Sequence, residues 1–521
     1  MEMHEYLSEL TGQIRSKKAR QEVAREIQNH IEDQAQVYEQ MGRTRDEALE
    51  EAVRQMGNPV EVGIDMDRIH RPRTNWMVLG LAGLLSLAGL LVQYLCIYRL
   101  GTGNLYRING DAFGRQCLYT FLGLGFMAVL YFCDYSMFSR YGKLIGGLFL
   151  ISTVLVCKLG LVQVINGGHG YMKTVMYLFI PMYGGILYGY RGTGHAGVIR
   201  SLLWLLAAAY VSFAVIGGGI GITLDVMSVC FMMLVYVLFR NWYQIKQKSR
   251  PLLALGALAL AGGYHFYLGM QPYQMARIRA VLSPWSYARE QAFQMVAARD
   301  IMKQLKFMGG IAKGGTPEGT PIRLLPGVQY DYVMLQAAST WGLLATGILI
   351  GLLVLFLVLL FLTVKKQKNQ LGQIIGYGCV MILALETAWN LMLNFGLVFM
   401  STAGLPFFTY GGYHTMAVYG LLGILLSIYR YQDLIWEKNP EKEDFTIDWK
   451  ALKEKNPEVV GWILIPDTDI SYPIVQGSDN SYYLNHTFEK KENYAGAIFM
   501  DAGADASFQD RNTIIYGHNV K

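Results

Sequence analysis

The pattern of hydrophobic and polar positions changes twice along the chain. Within residues 3–73, apolar side chains recur every three or four positions in a polar background, which predicts short amphipathic helices. Within residues 76–429, apolar runs long enough to cross ~30 Å of hydrocarbon follow one another. Beyond Arg430, short β-like runs such as 462–465 and 514–516 alternate with turn residues. The chain is therefore predicted to be mainly α: a polytopic membrane helix bundle, preceded by a small helical module and followed by an incomplete β-rich segment.

About ten membrane spans are predicted, and the polar stretches around them set the domain boundaries. The spans lie near residues 76–98, 113–133, 143–162, 174–190, 198–218, 221–239, 251–268, 332–363, 373–399 and 407–429. The domains are residues 1–73 for the helical module, 74–431 for the membrane domain, 432–444 for a charged linker and 445–521 for the β-rich segment.

Basic residues in the short loops predict the orientation of the bundle. Arg and Lys are concentrated before the first span and after the second, fourth, sixth and eighth spans, while the alternate loops are poorer in them. Since short cytoplasmic loops carry the excess of Arg and Lys, the N-terminal module is expected in the cytoplasm. An even number of spans then places Arg430 on the same side.

The amino-acid composition is typical of a membrane protein and argues against several classes of function. Hydrophobic residues make up 53% and charged residues 16%, below the roughly 25% of soluble domains. The net charge of +6 gathers in the loops between spans, so it predicts topology and argues against nucleic-acid binding. The six cysteines lie within or beside apolar spans without CxxC spacing, which argues against a metal or redox site. The polar N-terminus lacks the apolar run of a cleavable signal peptide.

One carboxylate stands where a long loop gives way to an apolar span. It is Asp331, within the run LLPGVQYDYVMLQAASTWG at residues 324–342. An ionisable group at the edge of a span is costly to hold there, so it is either a functional residue or an interfacial anchor. The preceding loop, residues 269–330, is rich in Arg and Lys and would face outward. It is either an amphipathic helix on anionic lipid or a cradle for a phosphate-bearing lipid, since arginine forks match phosphate oxygens.

The last span begins with a run that resembles a known family. AGLPFFTYGGYHTMAVYGLLGILLSI, at residues 403–428, is similar to the GxPLPFxSYGGSS pattern of the SEDS proteins, the FtsW/RodA/SpoVE group. Pro406, Tyr410, Gly411 and Gly412 stand in matching order. Further matches, within residues 76–430, are Arg115, Gln116, Asp134, Tyr135, Asn166, Gly167 and Arg277.

The resemblance implies an activity, a substrate and a partner. Such proteins are peptidoglycan glycosyltransferases of the bacterial plasma membrane. They polymerise lipid II at its outer face during cell division or cell-shape maintenance, usually with a class B penicillin-binding protein. The positions that the resemblance assigns to substrate binding are Arg277, Tyr171, Pro406, Tyr410, Gly411 and Gly412. No cofactor is firmly implied, and a divalent cation bound with the lipid pyrophosphate is the one considered.

The resemblance also gives Asp331 a role. In the family an acidic residue belongs to an LPExHTDF pattern, and Leu325, Pro326 and Asp331 fall on it. Asp331 would then be the general base that activates the 4-hydroxyl of the acceptor sugar. The chain departs from the family at four places: Gln329–Tyr330 for His-Thr, Ser339–Thr340 for an acidic pair, Pro181 as the remnant of QPSE, and Tyr171 for tryptophan.

These departures leave two further interpretations open. One is a catalytically degenerate scaffold or regulator of cell-wall synthesis. The other is a lipid transporter, for which Asp225 and Glu386 are the other strong acids deep in spans. Each of these two is either a paired structural group or part of a proton path.

The helical module resembles the permease-prefix module of other bacterial membrane proteins through its ending, EEAVRQMGNPVEV. Thr44 and Glu47 are spaced as a capping box, and glycine and proline at Gly57 and Pro59 end the helix that follows. Three short helices are expected. The module is either a regulatory docking unit or a simple cytoplasmic cap.

The β-rich segment, residues 445–521, resembles the first half of a class B sortase, an extracellular cysteine transpeptidase. The markers are NPEVVGWILIPDTDISYPIVQ, YYLNH, AGAIFMD and IIYGHN, and His518 falls on the catalytic histidine. The family's nucleophilic cysteine and oxyanion-stabilising arginine lie downstream, and this segment has no cysteine, so no transpeptidation is expected of it. Because the topology places it inside, whereas sortases work outside, a truncated or misjoined reading frame is preferred to a bifunctional enzyme.

Overall fold

The chain forms two compact units, Met1–Glu437 and Lys438–Lys521. The computed structural model describes residues 2–521 except 70, 101–111, 163, 165–168, 218–219, 248, 271, 312–324, 326–329, 399–403, 433–446, 448, 465–470, 494–495, 509, 511–512 and 518–521.

The N-terminal module contains four helices: α1 (Met3–Gly12), α2 (Lys17–Gln40), α3 (Arg45–Gln55) and α4 (Pro59–Ile69). The predicted capping box of Thr44 and Glu47 starts α3. The expectation of three helices was wrong. Proline suits the first turn of a helix, so the chain resumes at Pro59 after the break at Gly57. The core is made of apolar side chains from the first three helices and the turn after α1: Tyr6, Leu10, Ile14, Val23, Ile27, Ile31 and Val53.

The membrane domain follows as a series of helices, of which the described part confirms a multi-pass protein. They are α5 (Trp76–Leu100), α6 (Ala112–Phe132), α7 (Met137–Lys158), α8 (Phe179–Tyr188), α9 (Gly194–Tyr210), α10 (Ile220–Phe239), α11 (Ser249–Leu268), α12 (Pro272–Leu282), α13 (Phe293–Lys303), α14 (Val333–Trp341), α15 (Leu343–Lys365), α16 (Gln370–Asn394) and α17 (Gly412–Arg430). Among the described residues, eight are long and apolar enough to cross a membrane: α5, α6, α7, α9 with its continuation to Val215, α10, α15, α16 and α17.

The predicted fourth span is not a single α-helix. Residues 174–190 begin inside a 3₁₀-helix, Gly170–Leu178, and continue as the ten-residue α8, which is almost wholly buried. Gly185 packs so closely on α7 that a Cβ there would lie 2.4 Å from the carbonyl oxygen of Phe138. The seventh predicted span, 251–268, is found as α11. The total of ten spans stays a prediction.

The predicted eighth span is also divided. Residues 332–363 form α14 and α15, which meet at Gly342 with a φ of 93°, a conformation that glycine adopts readily and other residues rarely do. A Cβ at this position would come within 2.9 Å of the carbonyl oxygen of Phe307. The loop segment around Phe307 therefore packs directly on the break.

Helix α17 is buried along nearly its whole length and packs closely against α6. A Cβ on Gly123 of α6 would lie 2.6 Å from the ring of Tyr419. The backbone N–H of Arg73 donates to the carbonyl of Arg430 at 3.2 Å. The start of α5 and the end of α17 thus meet at one end of the bundle, which is what an even number of spans requires.

The second unit has a short helix and a four-stranded sheet, as the sequence predicted for a β-rich segment. Its elements are α18 (Trp449–Lys455), β1 (Val459–Leu464), β2 (Ser471–Val475), β3 (Ile498–Met500) and β4 (Ile515–Tyr516). The strands lie in the order β1-β2-β3-β4, with β2 and β3 parallel and the outer pairs antiparallel. Val459, Val475, Tyr483 and Phe499 form its small core.

Candidate active site

The site is built around Asp331, which lies in the turn just before α14 begins at Val333. Its neighbour Tyr332 is almost wholly buried and packs with Leu335 and Leu325. Asp331 itself is half-buried. A buried apolar anchor on each side of the carboxylate therefore fixes the junction while the acidic group keeps access to the surface.

Two asparagines of α16 hold the backbone of this junction. Nδ2 of Asn394 donates to the carbonyl of Asp331 at 2.9 Å, and Nδ2 of Asn390 donates to the same oxygen at 3.3 Å. The Oδ1 of Asn394 accepts the N–H of Leu335 at 2.8 Å, so this one side chain also satisfies a free donor in the first turn of α14. Both asparagines are buried, where such hydrogen bonds are costly to leave unmade.

The loop before α17 holds the other side of the junction. The hydroxyl of Thr409 donates to the carbonyl of Tyr330 at 3.1 Å and accepts the N–H of Leu405 at 2.7 Å. The rings of Tyr330 and Tyr410 meet edge to face, 5.4 Å between centroids. The N–H of Gly411 donates to Oε1 of Gln116 on α6 at 3.1 Å. The run that resembles the family pattern is thus a brace that connects α6 to the residue before Asp331.

The electrostatics of Asp331 suit a proton acceptor. Its carboxyl group has neither a hydrogen bond nor an ion pair with any side chain in the described part of the chain, and burial raises its pKa to about 7. A general base works best when its pKa lies near the working pH. The arrangement can therefore take up a proton from a hydroxyl group placed at the junction.

The other predicted site residues lie in different parts of the structure. Tyr410 lies at the Asp331 junction, where its ring meets that of Tyr330, and the neighbouring Gly411 bonds to Gln116 of α6. Gly412 begins α17 and packs on Tyr119 of α6, and Pro406 precedes them in the same loop. Arg277 is half-buried on α12 within the long loop. Tyr171 belongs to the 3₁₀-helix Gly170–Leu178, which packs against α17, and its side chain lies outside the described part. Predicted positions outside the described residues are Pro326, Gln329, Asn166, Gly167 and His518.

Three of the residues that build the site were missed from the sequence, namely Asn390, Asn394 and Thr409. A signal was available for two of them. Glu386, Asn390 and Asn394 follow one another at intervals of four in an otherwise apolar span, which places them on one face of a helix.

Glu386, the first of these three residues along α16, is paired with a histidine of α17. Its Oε1 lies 3.3 Å from Nε2 of His414 on α17, and both side chains are buried. His414 stands at the last serine of the GxPLPFxSYGGSS pattern. Asp225 of α10, the other acid deep in a span, is also buried. Of the two roles left open for Glu386, the structure supports a paired group. No set of three His, Cys, Asp or Glu side chains among the described residues is arranged to hold a metal ion.

Comparison with known families agrees with this geometry. Residues 75–434 match the family model FtsW/RodA/SpoVE, described as cell cycle protein, and residues 5–63 match the HAAS family model. Because the first match covers more than half of the chain, the chain belongs to the FtsW/RodA/SpoVE family of cell cycle proteins.

The individual relatives match different parts of the chain. A probable peptidoglycan glycosyltransferase FtsW of Geobacter sulfurreducens is 23% identical over 387 residues, which are 71% of this chain and 98% of the relative. Sortase B of Listeria monocytogenes is 50% identical over 72 residues, 14% of this chain. The chain spans only 29% of the length of that sortase, so the absence of sortase activity stays a prediction.

One solved structure supports the fold of the membrane domain. It is a chain of a peptidoglycan synthase complex, described for the structural coordination of polymerization and crosslinking. It is similar with a TM-score of 0.54 and 22% identity, over 69% of this chain and 99% of that one. The likeness extends over nearly all of that chain, as expected for a shared bundle.

Proposed function

We propose that the chain is a peptidoglycan glycosyltransferase that polymerises lipid II, with Asp331 as the general base. The observation that carries the proposal is the junction itself. Asp331 has a half-exposed carboxylate without a described partner, its own carbonyl is held from α16, and the carbonyl of the preceding Tyr330 is held by Thr409. A group whose only role was to anchor the span would not need both braces.

The proposed reaction balances as a simple displacement. The carboxylate of Asp331 takes the proton of the acceptor sugar's 4-hydroxyl as that oxygen attacks the anomeric carbon of the donor sugar. The bond between that carbon and the lipid diphosphate breaks, and the diphosphate leaves with the electron pair. Arg277 and the other basic groups of the long loop stabilise the leaving diphosphate, because guanidinium forks match phosphate oxygens.

The proposal includes a divalent cation only as an ion that is bound to the substrate's diphosphate. Since no three suitable side chains converge in the part of the chain that the structure describes, the diphosphate oxygens would supply its ligands. There it would neutralise charge on the leaving group.

Orientation and partners belong to the same proposal. The excess of Arg and Lys in alternate loops predicts that the N-terminal module lies in the cytoplasm and the Asp331 junction at the outer face of the plasma membrane. The partner expected there is a class B penicillin-binding protein, in line with the peptidoglycan synthase complex that the membrane domain is similar to. The chain is not expected to bind nucleic acid.

The departures from the family pattern do not favour the scaffold interpretation. Ser339 and Thr340, which replace an acidic pair, lie in the last turn of α14, where their carbonyls pack on the loop at Gly310 and Ile311. Their position is thus tied to the loop contact at Gly342, away from the braces around Asp331. A polar pair there is compatible with the proposed chemistry.

The experiment is polymerisation of labelled lipid II by the purified protein. Asp331→Ala should lower the rate by roughly 10²–10⁴-fold, the usual contribution of a general base. Asp300→Ala is the matched control, because Asp300 is an exposed acid of the same loop region, paired with Lys303 at 3.0 Å. Equal rates for Asp331→Ala and the unmodified protein would show that the general-base assignment is wrong. No polymerisation by either would favour a scaffold.

A further inference from the structure

Two arginines from different loops meet at the first turn of α16. Arg191, in the turn between α8 and α9, donates from Nη1 to Oε1 of Gln370 at 3.3 Å. Arg240, just after α10, donates from Nε to the hydroxyl of Tyr236 at 3.3 Å, and this hydroxyl donates to Oε1 of Gln373 at 3.3 Å. The two glutamines are three residues apart, so they lie on one face of the helix with Cβ atoms ~5–6 Å apart. Two guanidinium groups are therefore held close together at one end of α16.

Aromatic rings fix the orientation of both guanidinium groups. The Cζ of Arg191 lies 3.5 Å from the ring centroid of Tyr188, and the Cζ of Arg240 lies 5.8 Å from that of Tyr236. A guanidinium group has five N–H donors, and stacking on a ring leaves the donors at its edge available to an anion. The partners that the structure describes for these donors are neutral side chains.

The surroundings of the two arginines add further positive charge. Nζ of Lys143 lies 4.0 Å from the ring centroid of Tyr190, the residue before the first arginine. Residues 189–200, 240–250 and 364–373 each include two or more Arg and Lys and no Asp or Glu. Basic loops are expected from topology alone, but topology does not require that guanidinium groups be fixed on one helix. Fixed, converging guanidinium groups are suited to phosphate oxygens.

The site lies at the level where the membrane spans end. Gln370 is the first residue of one span, and Arg240 follows Phe239, the last residue of another. Two turns further along α16, the ring of Tyr377 meets that of Phe361 on α15, with 6.0 Å between centroids. Phe239 and Phe361 are both exposed. Apolar surface thus begins next to the cations, which suits an amphiphile with a phosphate and hydrocarbon chains better than a soluble anion.

We propose that this arginine pair binds the phosphate of an anionic phospholipid, with the acyl chains of the lipid against Phe239 and Phe361. Basic pockets between membrane helices bind headgroups of this kind. Since the basic loops predict that this end of the bundle is cytoplasmic, the lipid belongs to the inner leaflet. The site is at the opposite end of α16 from Asn394 and does not depend on the proposed function.

The direct test is lipid binding to the purified full-length protein. In neutral detergent, native mass spectrometry counts bound phosphatidylglycerol and bound phosphatidylcholine over a range of lipid concentrations. Phosphatidylglycerol should bind roughly tenfold or more tightly, because basic groups at the headgroup level attract an anionic lipid. Inorganic phosphate should displace it no better than chloride at the same ionic strength, since phosphate has no chains to contact the apolar surface.

Two variants locate the site. Arg191→Gln combined with Arg240→Gln should bring the affinity for phosphatidylglycerol down to that for phosphatidylcholine. Gln370→Glu keeps both arginines and places a carboxylate on Arg191. It should weaken phosphatidylglycerol binding roughly fivefold or more, the effect of neutralising one cation at a membrane surface. This variant should unfold at the same temperature as the unmodified protein or above it, so a loss of binding would not reflect a loss of folding.

The matched control is Arg140→Gln combined with Arg200→Gln. These two exposed arginines lie on α7 and α9 at the same end of the bundle, and neither has a hydrogen bond to α16 in the part of the chain that the structure describes. The control makes the same change in net charge and should leave the affinity for phosphatidylglycerol nearly unchanged.

Three results would overturn the inference. Equal affinity for the two lipids would show that no anionic headgroup is recognised. An equal loss of affinity in the control variant would show that the basic end of the bundle attracts anionic lipid without a defined site. Displacement by inorganic phosphate beyond that by chloride would assign the arginine pair to a soluble phosphate ligand.

Discussion

Asp331 at the junction before α14 and Glu386 in the interior of the bundle are both acidic, but their surroundings differ. Asp331 is half-exposed, its backbone carbonyl is held by two side chains, that of the preceding Tyr330 by a third, and its carboxyl group has no partner among the residues that the structure describes. Glu386 is fully buried, and its carboxyl group lies 3.3 Å from His414. Asn390 and Asn394 lie between them on one face of α16.

Under the proposed function, this difference separates a residue that reacts from a residue that supports the bundle. A carboxylate held by its backbone keeps its acidic group available, which is what a base requires. A carboxylate held by its acidic group is committed to packing, because an uncompensated charge in the interior is strongly destabilising. Burial and partners therefore distinguish the two roles, whereas residue type and hydropathy do not.

The largest stability effect is expected at the buried pair. His414→Ala leaves the buried carboxyl group of Glu386 without its neighbour and should lower the free energy of unfolding by about 1–3 kcal/mol. Adding Glu386→Gln replaces the carboxyl group left without its neighbour by a neutral amide, so the double variant should recover part of that loss. Denaturant or thermal unfolding in detergent measures both.

Asp331→Asn tests the other acid of the comparison in the same unfolding measurement. Since burial raises the pKa of its carboxyl group, the ionised acid is destabilising near neutral pH, so Asp331→Asn should make the protein no easier to unfold, while polymerisation falls by roughly 10²–10⁴-fold. If His414→Ala unfolds no more easily than the unmodified protein, Glu386 and His414 do not form a supporting pair and the contrast fails.

A smaller effect, on rate rather than stability, is expected from loss of the asparagine that holds the Asp331 backbone. Asn394→Ala removes the side chain that connects Asp331 and Leu335 to α16. A displacement of about 1 Å at the reacting group is worth up to ~10²-fold, so kcat should fall by roughly 10–100-fold with little change in KM. Steady-state kinetics with lipid II separates the two constants.

Asn369→Ala is the control for this variant. Asn369 caps the opposite end of α16, where its Oδ1 accepts the N–H groups of Leu371 and Gly372. Its loss should cost about 1 kcal/mol of stability and leave kcat unchanged. A kcat that falls equally in both variants would mean that α16 acts only as a general support.

Hydrophobic pattern was sufficient to predict the multi-pass bundle, the N-terminal helices and the position of Asp331 at a loop-to-span junction. It could not predict the division at Gly342, because an apolar run looks the same whether it forms one helix or two. That break depends on a long-range contact with Phe307, which no local pattern shows. The pattern also could not predict that the fourth span contains the short, buried α8, since the close contact of α8 with Phe138 arises only in the folded bundle.

The position of the candidate site could be predicted from the sequence, whereas the contacts that support it could not. Family resemblance pointed to Asp331 and to the loop of Tyr410 and Gly411. The pairing of Glu386 with His414 joins residues on two helices, and neither residue type nor spacing specifies a partner across a bundle. Their meeting follows from the packing of α16 against α17.

The pH dependence of lipid II polymerisation tests the central claim most directly. Burial raises the pKa of Asp331 to about 7, and a base must be ionised to act. We therefore predict that kcat rises about tenfold per pH unit below pH ~7 and levels off above it, and that the residual activity of Asp331→Asn lacks this inflection. A flat profile through pH ~7 in the unmodified protein, or the same inflection in Asp331→Asn, would contradict the account.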